Sequence, residues 1–62
     1  MPFINVKMIE GRTTEQKRQL AKALTEAIVE ICGAKPEGTT VVIEDHAKED
    51  WATGGVLLAD RG

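Results

Sequence analysis

The 62-residue chain has no tyrosine, one phenylalanine and one tryptophan, and it has no run of basic residues. Nucleic-acid binding needs a positive stripe or aromatic platforms for the bases, and neither is present. Eight basic residues face ten acidic ones, for a net charge of −2. A single cysteine, Cys32, leaves no internal disulfide. A single histidine, His46, with no Cys-x-x-Cys or His-x-x-x-His spacing, offers no structural zinc pattern. No apolar run approaches the roughly 20 residues that span a bilayer. The first ten residues carry Asn5 and Lys7, which interrupt any signal-peptide core. The expectation is a cytoplasmic protein with no metal, cofactor, nucleic-acid or membrane partner.

What remains is a small domain that is short of core. A chain of this size buries only about 60% of its unfolded surface. Below about 70–80 residues one core seldom supplies more than a few kcal/mol. With disulfide and zinc set aside, the remaining route to stability is a core shared among copies. An apolar fraction of 42% is ample for that.

The patterning divides the chain cleanly. Ile4, Val6 and Met8 alternate with Phe3, Asn5 and Lys7, which predicts a strand over Phe3–Met8 with one buried face. Ile9 to Arg12 breaks the alternation, and Gly11 marks a turn. Thr13 as N-cap and Gln16 three residues on form a capping box that opens a helix over Thr14–Cys32. Leu20, Ala23, Leu24, Ala27, Ile28 and Ile31 recur at helical spacing as its apolar stripe. Gly33 is suited to close the helix. Residues Ala34 to Gly38 read as a loop. The β-branched run Thr39–Glu44 reads as a second strand, and Asp45–Asp50 as a polar surface loop or helical turn. Trp51–Leu58 reads as a short hairpin or interface arm turning at Gly54-Gly55. Strand, helix, strand is a βαβ unit with parallel strands and a right-handed crossover. One helix covers one face of two strands, so the other face and the strand edges await partners. Residues 1–62 are expected to form one α/β domain of this kind, assembling through dimers.

Pro2 is the residue with the most chemistry to offer. If Met1 is removed, Pro2 presents a secondary amine, and an unperturbed α-amino group titrates at about 7.7–8.0. If Met1 stays, the same nitrogen is a tertiary amide and takes no proton.

Pro2, the strand that follows it and the run Glu10-Gly11-Arg12-Thr13-Thr14-Glu15-Gln16-Lys17 together resemble the 4-oxalocrotonate tautomerase family. The resemblance extends to the helix length, the strand Val41-Val42-Ile43-Glu44 and the late Gly54-Gly55 pair. It implies a small βαβ protomer whose free Pro2 amine moves a proton in a keto–enol isomerisation. It implies that Arg12 binds a substrate carboxylate and that Trp51 forms an apolar wall where the model enzyme usually has phenylalanine. The implied assembly is a hexamer built as a trimer of dimers, with sites near subunit boundaries. One position departs from the pattern. Where the model enzyme has a second arginine, this chain has Thr40, which can hydrogen-bond but supplies no cation or bidentate fork. That change favours monocarboxylic enols such as phenylenolpyruvate over the dicarboxylate 2-hydroxymuconate. Thr53 also replaces an apolar residue and has no role assigned to it.

A physical case stands beside what the resemblance implies. Moving a proton from a dienol oxygen to carbon calls for a base with a pKa near working pH. Burial against Trp51 and Phe3 and a nearby cation such as Arg12 both lower the pKa of an ammonium group. The reading is therefore a cofactor-independent tautomerase of enol forms of 2-oxo acids. Pro2 is its general base and acid, Arg12 and Trp51 are substrate contacts, and Thr40 is a minor one. Two alternatives stand beside it. One is a Pro2-dependent hydratase, dehalogenase or decarboxylase of unsaturated acids. The other is a homo-oligomeric module without a site. His46, Lys48, Glu49 and Asp50 read as solvated surface, and Cys32 as a buried small hydrophobe.

Overall fold

The structure, a computed structural model, describes residues 1–61. Gly62, the last residue of the expected domain, lies outside the described residues. Strand β1 (Phe3–Ile9) leads through the Gly11 turn into helix α1 (Thr14–Cys32), and β2 (Thr40–His46) returns beside β1. Two two-residue strands, β3 (Ala52–Thr53) and β4 (Val56–Leu57), form a terminal hairpin. Strands β1 and β2 are parallel and in register from Phe3 opposite Thr40 to Ile9 opposite His46. The βαβ order, the parallel pairing and the short terminal arm agree with the sequence reading.

The helix boundaries follow from local chemistry. The Gln16 N–H donates to the Thr13 hydroxyl oxygen at 3.1 Å, and the Thr13 N–H donates to the Gln16 side-chain oxygen at 2.9 Å. This reciprocal pair satisfies two donors that the first helical turn would otherwise leave free. Gly33 ends the helix at φ 71°, and its N–H donates to the Val29 carbonyl. A side chain at that φ would be strained, so glycine fits there.

Several side chains lie elsewhere than the pattern implied. Ile4, Val6 and Met8 are half-buried beneath α1, but Ala23, Ala27 and Ile31 are exposed, Ile31 at 81%. The helix turns the expected Leu20, Leu24 and Ile28 inward, together with Ala21, Thr25 and Val29. A narrow two-stranded sheet covers only part of a wide apolar helix surface, so one flank stays open. Cys32 is exposed rather than buried, because it sits in the last turn of the helix. Strand β2 runs two residues beyond the expected Glu44, which takes Asp45 and His46 out of the polar loop. Register with β1 continues through both, and Lys17 on α1 holds Asp45 at 2.5 Å. The rest of that stretch makes a single helical turn, Lys48–Asp50.

Alone, the described residues form an extended shape. Among the described residues none is fully buried. A compact domain of this length has a radius of gyration of about 11 Å. This chain measures 14.7 Å, with extents of 42 × 24 × 14 Å. A compact protein of 6.7 kDa exposes about 3,900 Å², and this one exposes 4704 Å². The excess, about 800 Å², equals one partner's share of a standard protein interface.

Candidate active site

The candidate residues fall into two groups at opposite ends of the sheet. Pro2 and Thr40 occupy the end where both strands begin. The Thr40 N–H donates to the Pro2 carbonyl at 3.1 Å, which fixes the amino-terminal segment beside β2. Pro2 is half-buried and lines an open cavity of about 430 Å³ with Met1, Cys32, Ala34, Lys35 and Gly38. That volume is in the range of small-molecule sites. Because Met1 is one of the lining residues, its removal would free the Pro2 nitrogen into that space. Thr40 does not line the cavity. In register opposite Phe3, it shares the sheet face away from α1.

Sequence reasoning passed over Lys35. It belongs to this cavity because α1 ends, the chain turns, and the segment before Thr40 comes back against the amino terminus. A signal was available in the Lys35-Pro36 step. A residue before proline is held in an extended conformation, and Lys35 has φ −94° and ψ 139°. Its carbonyl accepts from the Gly38 N–H at 3.0 Å and from the Thr39 hydroxyl at 2.9 Å. The backbone is pinned, while the ammonium has no ion-pair partner among the described residues.

Arg12 and Trp51 sit at the other end, where the strands finish. Arg12 Nη1 donates to the Ile9 carbonyl at 3.1 Å. The guanidinium is exposed and makes no ion pair with a carboxylate among the described residues. It therefore keeps donors free for a ligand carboxylate. Ile9 is paired with His46, and the His46 ring meets the Trp51 ring edge-on at 5.9 Å and 67°. Trp51 is half-buried. Its carbonyl accepts from the Leu58 N–H at 2.8 Å, so the Gly54-Gly55 hairpin folds back under it. Gly54 and Gly55, at φ 62° and 82°, supply the positive-φ pair that a two-residue hairpin turn requires.

His46 is thus not a solvated loop residue. It ends β2, and its Nε2 is shielded, has no hydrogen-bond partner, and lies 3.6 Å from Glu44 Oε2. Glu44 is drawn below the usual carboxylate range. The chief cause is the hydrogen bond it accepts from the Asn5 amide at 3.3 Å, and the Lys7 ammonium at 3.7 Å adds to it.

Within one chain the two groups cannot meet. Seven residues of extended strand separate Pro2 from Ile9, a span of roughly 20 Å. Two other hollows lie among the described residues, one of them lined by Glu10, Ala47, Lys48, Glu49 and Ala59. A groove of about 520 Å³ on the flank of α1 is lined by Ala21, Lys22, Thr25, Glu26, Val29 and Pro36, where lysine and glutamate offset each other. No cluster of three or more potential metal ligands occurs among the described residues. No helix there is long and apolar enough to cross a membrane.

Comparison with known proteins adds independent findings. Residues 2–61 match the family model described as tautomerase enzyme. The chain is 48% identical to the 2-hydroxymuconate tautomerase of Bacillus subtilis over 60 residues, covering 97% of each. It superposes on the crystal structure of YwhB, a homologue of 4-oxalocrotonate tautomerase, with TM-score 0.95 and 46% identity, covering 98% of this chain and 100% of that one. It also superposes on a heterohexameric 4-oxalocrotonate tautomerase from Chloroflexus aurantiacus, with TM-score 0.93 and 31% identity over all of both chains.

Proposed function

The chain belongs to the 4-oxalocrotonate tautomerase family of isomerases, and from that premise we propose that it interconverts enol and keto forms of 2-oxo acids, with Pro2 carrying the proton. Met1 is removed in this reading, and residues 1–62 act as one βαβ unit. The Pro2 nitrogen takes the proton of the substrate's 2-hydroxyl. The oxygen becomes a carbonyl as the electron pairs of the diene shift outward, and Pro2 returns the proton to a distal carbon. Arg12 holds a carboxylate and draws electron density along the conjugated chain. Trp51 forms the apolar wall that keeps the amine neutral, since poor solvation disfavours its ammonium form. Thr40, whose N–H is bonded to the Pro2 carbonyl but which faces away from the cavity, would be a minor polar contact only for substrate bound at a neighbouring copy's site.

The observation that carries this reading is the separation of the two groups together with the incompleteness of the lone chain. A two-fold axis perpendicular to the sheet joins two copies edge to edge with their strands antiparallel. The start of one copy's strands then lies beside the finish of the other's. Pro2 and Lys35 of one copy would face the partner subunit's Arg12 and Trp51. The same junction pairs an open strand edge and covers part of the exposed apolar surface. Phe3, 63% exposed on the sheet face away from α1, supports a further layer of copies there. The assembly proposed is a homo-hexamer, a trimer of such dimers.

The test is an ultraviolet assay of enol ketonisation on protein whose intact mass shows Pro2 at the terminus. Pro2→Ala should lower kcat by about 10²–10⁴-fold, the usual worth of a positioned general base. Activity of the parent should fall as pH drops and the amine is protonated. A mutant as fast as the parent would remove Pro2 from the mechanism. A rate that instead fell with rising pH would reassign Pro2 as an acid.

A further inference from the structure

The cavity at Pro2 is lined by a basic residue that the family resemblance did not supply. Thr40 stands where a second arginine is expected, yet Lys35 lines the same cavity as Pro2 from the same chain. We propose that Lys35 binds the second carboxylate of a dicarboxylic enol acid, taking over the charge that Thr40 lacks. This rests on the reading of Pro2 and Arg12 given above.

Three features support the assignment. The Lys35 backbone is fixed by Pro36 and by two hydrogen bonds to its carbonyl, so its ammonium swings from a defined point. The ammonium makes no ion pair among the described residues, although Glu37 follows two residues later. The other described lining residues, Met1, Cys32, Ala34 and Gly38, provide no carboxylate to compete for it. Lys35 and the partner subunit's Arg12 then approach a bound substrate from different chains. A dicarboxylate spans both cations, and a monocarboxylate engages Arg12 alone. Lysine acts here as a mobile point charge rather than a planar fork. It therefore strengthens binding of the distal carboxylate without fixing the orientation of the reacting oxygen. The expected consequence is use of 2-hydroxymuconate despite Thr40, with the benefit confined to KM.

The experiment compares the parent with Lys35→Met and Lys35→Arg on 2-hydroxymuconate and on phenylenolpyruvate. Lys35→Met should raise KM for the dicarboxylate about tenfold, the worth of one charge-assisted hydrogen bond. Measured on the high-pH plateau, where the Pro2 amine is neutral in both proteins, the KM for the monocarboxylate should change far less than that for the dicarboxylate. Lys35→Arg should retain the parent's preference. A second measurement is independent of Pro2 chemistry. Calorimetric titration of adipate, an unreactive dicarboxylate, into Pro2→Ala should give a Kd about tenfold tighter than into Pro2→Ala/Lys35→Met. Equal changes for both substrates, or no change for either, would overturn the role of Lys35. So would equal adipate affinities. A fully active Pro2→Ala would overturn the base assignment instead and leave the adipate comparison to decide on Lys35.

Discussion

Pro2→Ala and Arg12→Ala subunits should each be inactive as pure assemblies and should regain activity when mixed. The reason is the roughly 20 Å of strand between the two positions. In the proposed two-fold arrangement each site would take Pro2 from one copy and Arg12 from the other. A dimer containing one subunit of each kind then has one site with both residues intact and one site with neither. Equal amounts of the two variants, unfolded together and refolded, pair at random. About half of the dimers are mixed, and half of their sites are intact, so about one quarter of parental activity per subunit should return. The assay is ketonisation rate before and after co-refolding, with each variant refolded alone as the control. Intact-mass analysis of the assemblies verifies mixing. If the site were built within one chain, the mixture would stay at the average of its two parents. That outcome, with mixing verified, would refute the shared-site arrangement.

Two further predictions concern the fold. Thr13→Ala removes one half of the capping box and should cost about 1 kcal/mol of stability, read by denaturant titration at fixed protein concentration. Glu44 has a carboxyl held below its ordinary range in the folded chain, so the folded state keeps it ionised more readily than the unfolded state does. Its stabilisation is present above the ordinary glutamate range and is lost as pH falls through the lowered folded value. Asn5→Ala removes the chief cause of that shift, so acid unfolding followed by circular dichroism should begin at a higher pH than in the parent. Equal acid profiles would show that the Asn5–Glu44 hydrogen bond does not contribute in solution.

Much of the fold was legible because it is set by local chemistry. The period-two alternation in β1, the Thr13–Gln16 box and the two glycine turns act over a few residues. Each needs only its neighbours. Half of the helix stripe, Leu20, Leu24 and Ile28, faces the sheet as its spacing predicts, while Ala23, Ala27 and Ile31 do not, for the converse reason. The chain carries more apolar helix surface than one narrow sheet can cover, and periodicity alone does not say which flank a partner will take. His46 was misplaced because the end of β2 is decided by pairing with β1, not by the polarity of Asp45 and His46.

The sequence by itself determined the βαβ order and the helix ends, and it singled out Pro2 and Arg12 as the residues proposed to carry chemistry. Only the tertiary structure decided that these two lie at opposite ends of the sheet, and that Lys35 rather than Thr40 shares the cavity at Pro2. The physical reason is distance along the chain. Caps, turns and alternation act between near neighbours, whereas a cavity is made where segments more than thirty residues apart, here Pro2 and Lys35, are brought together by strand pairing.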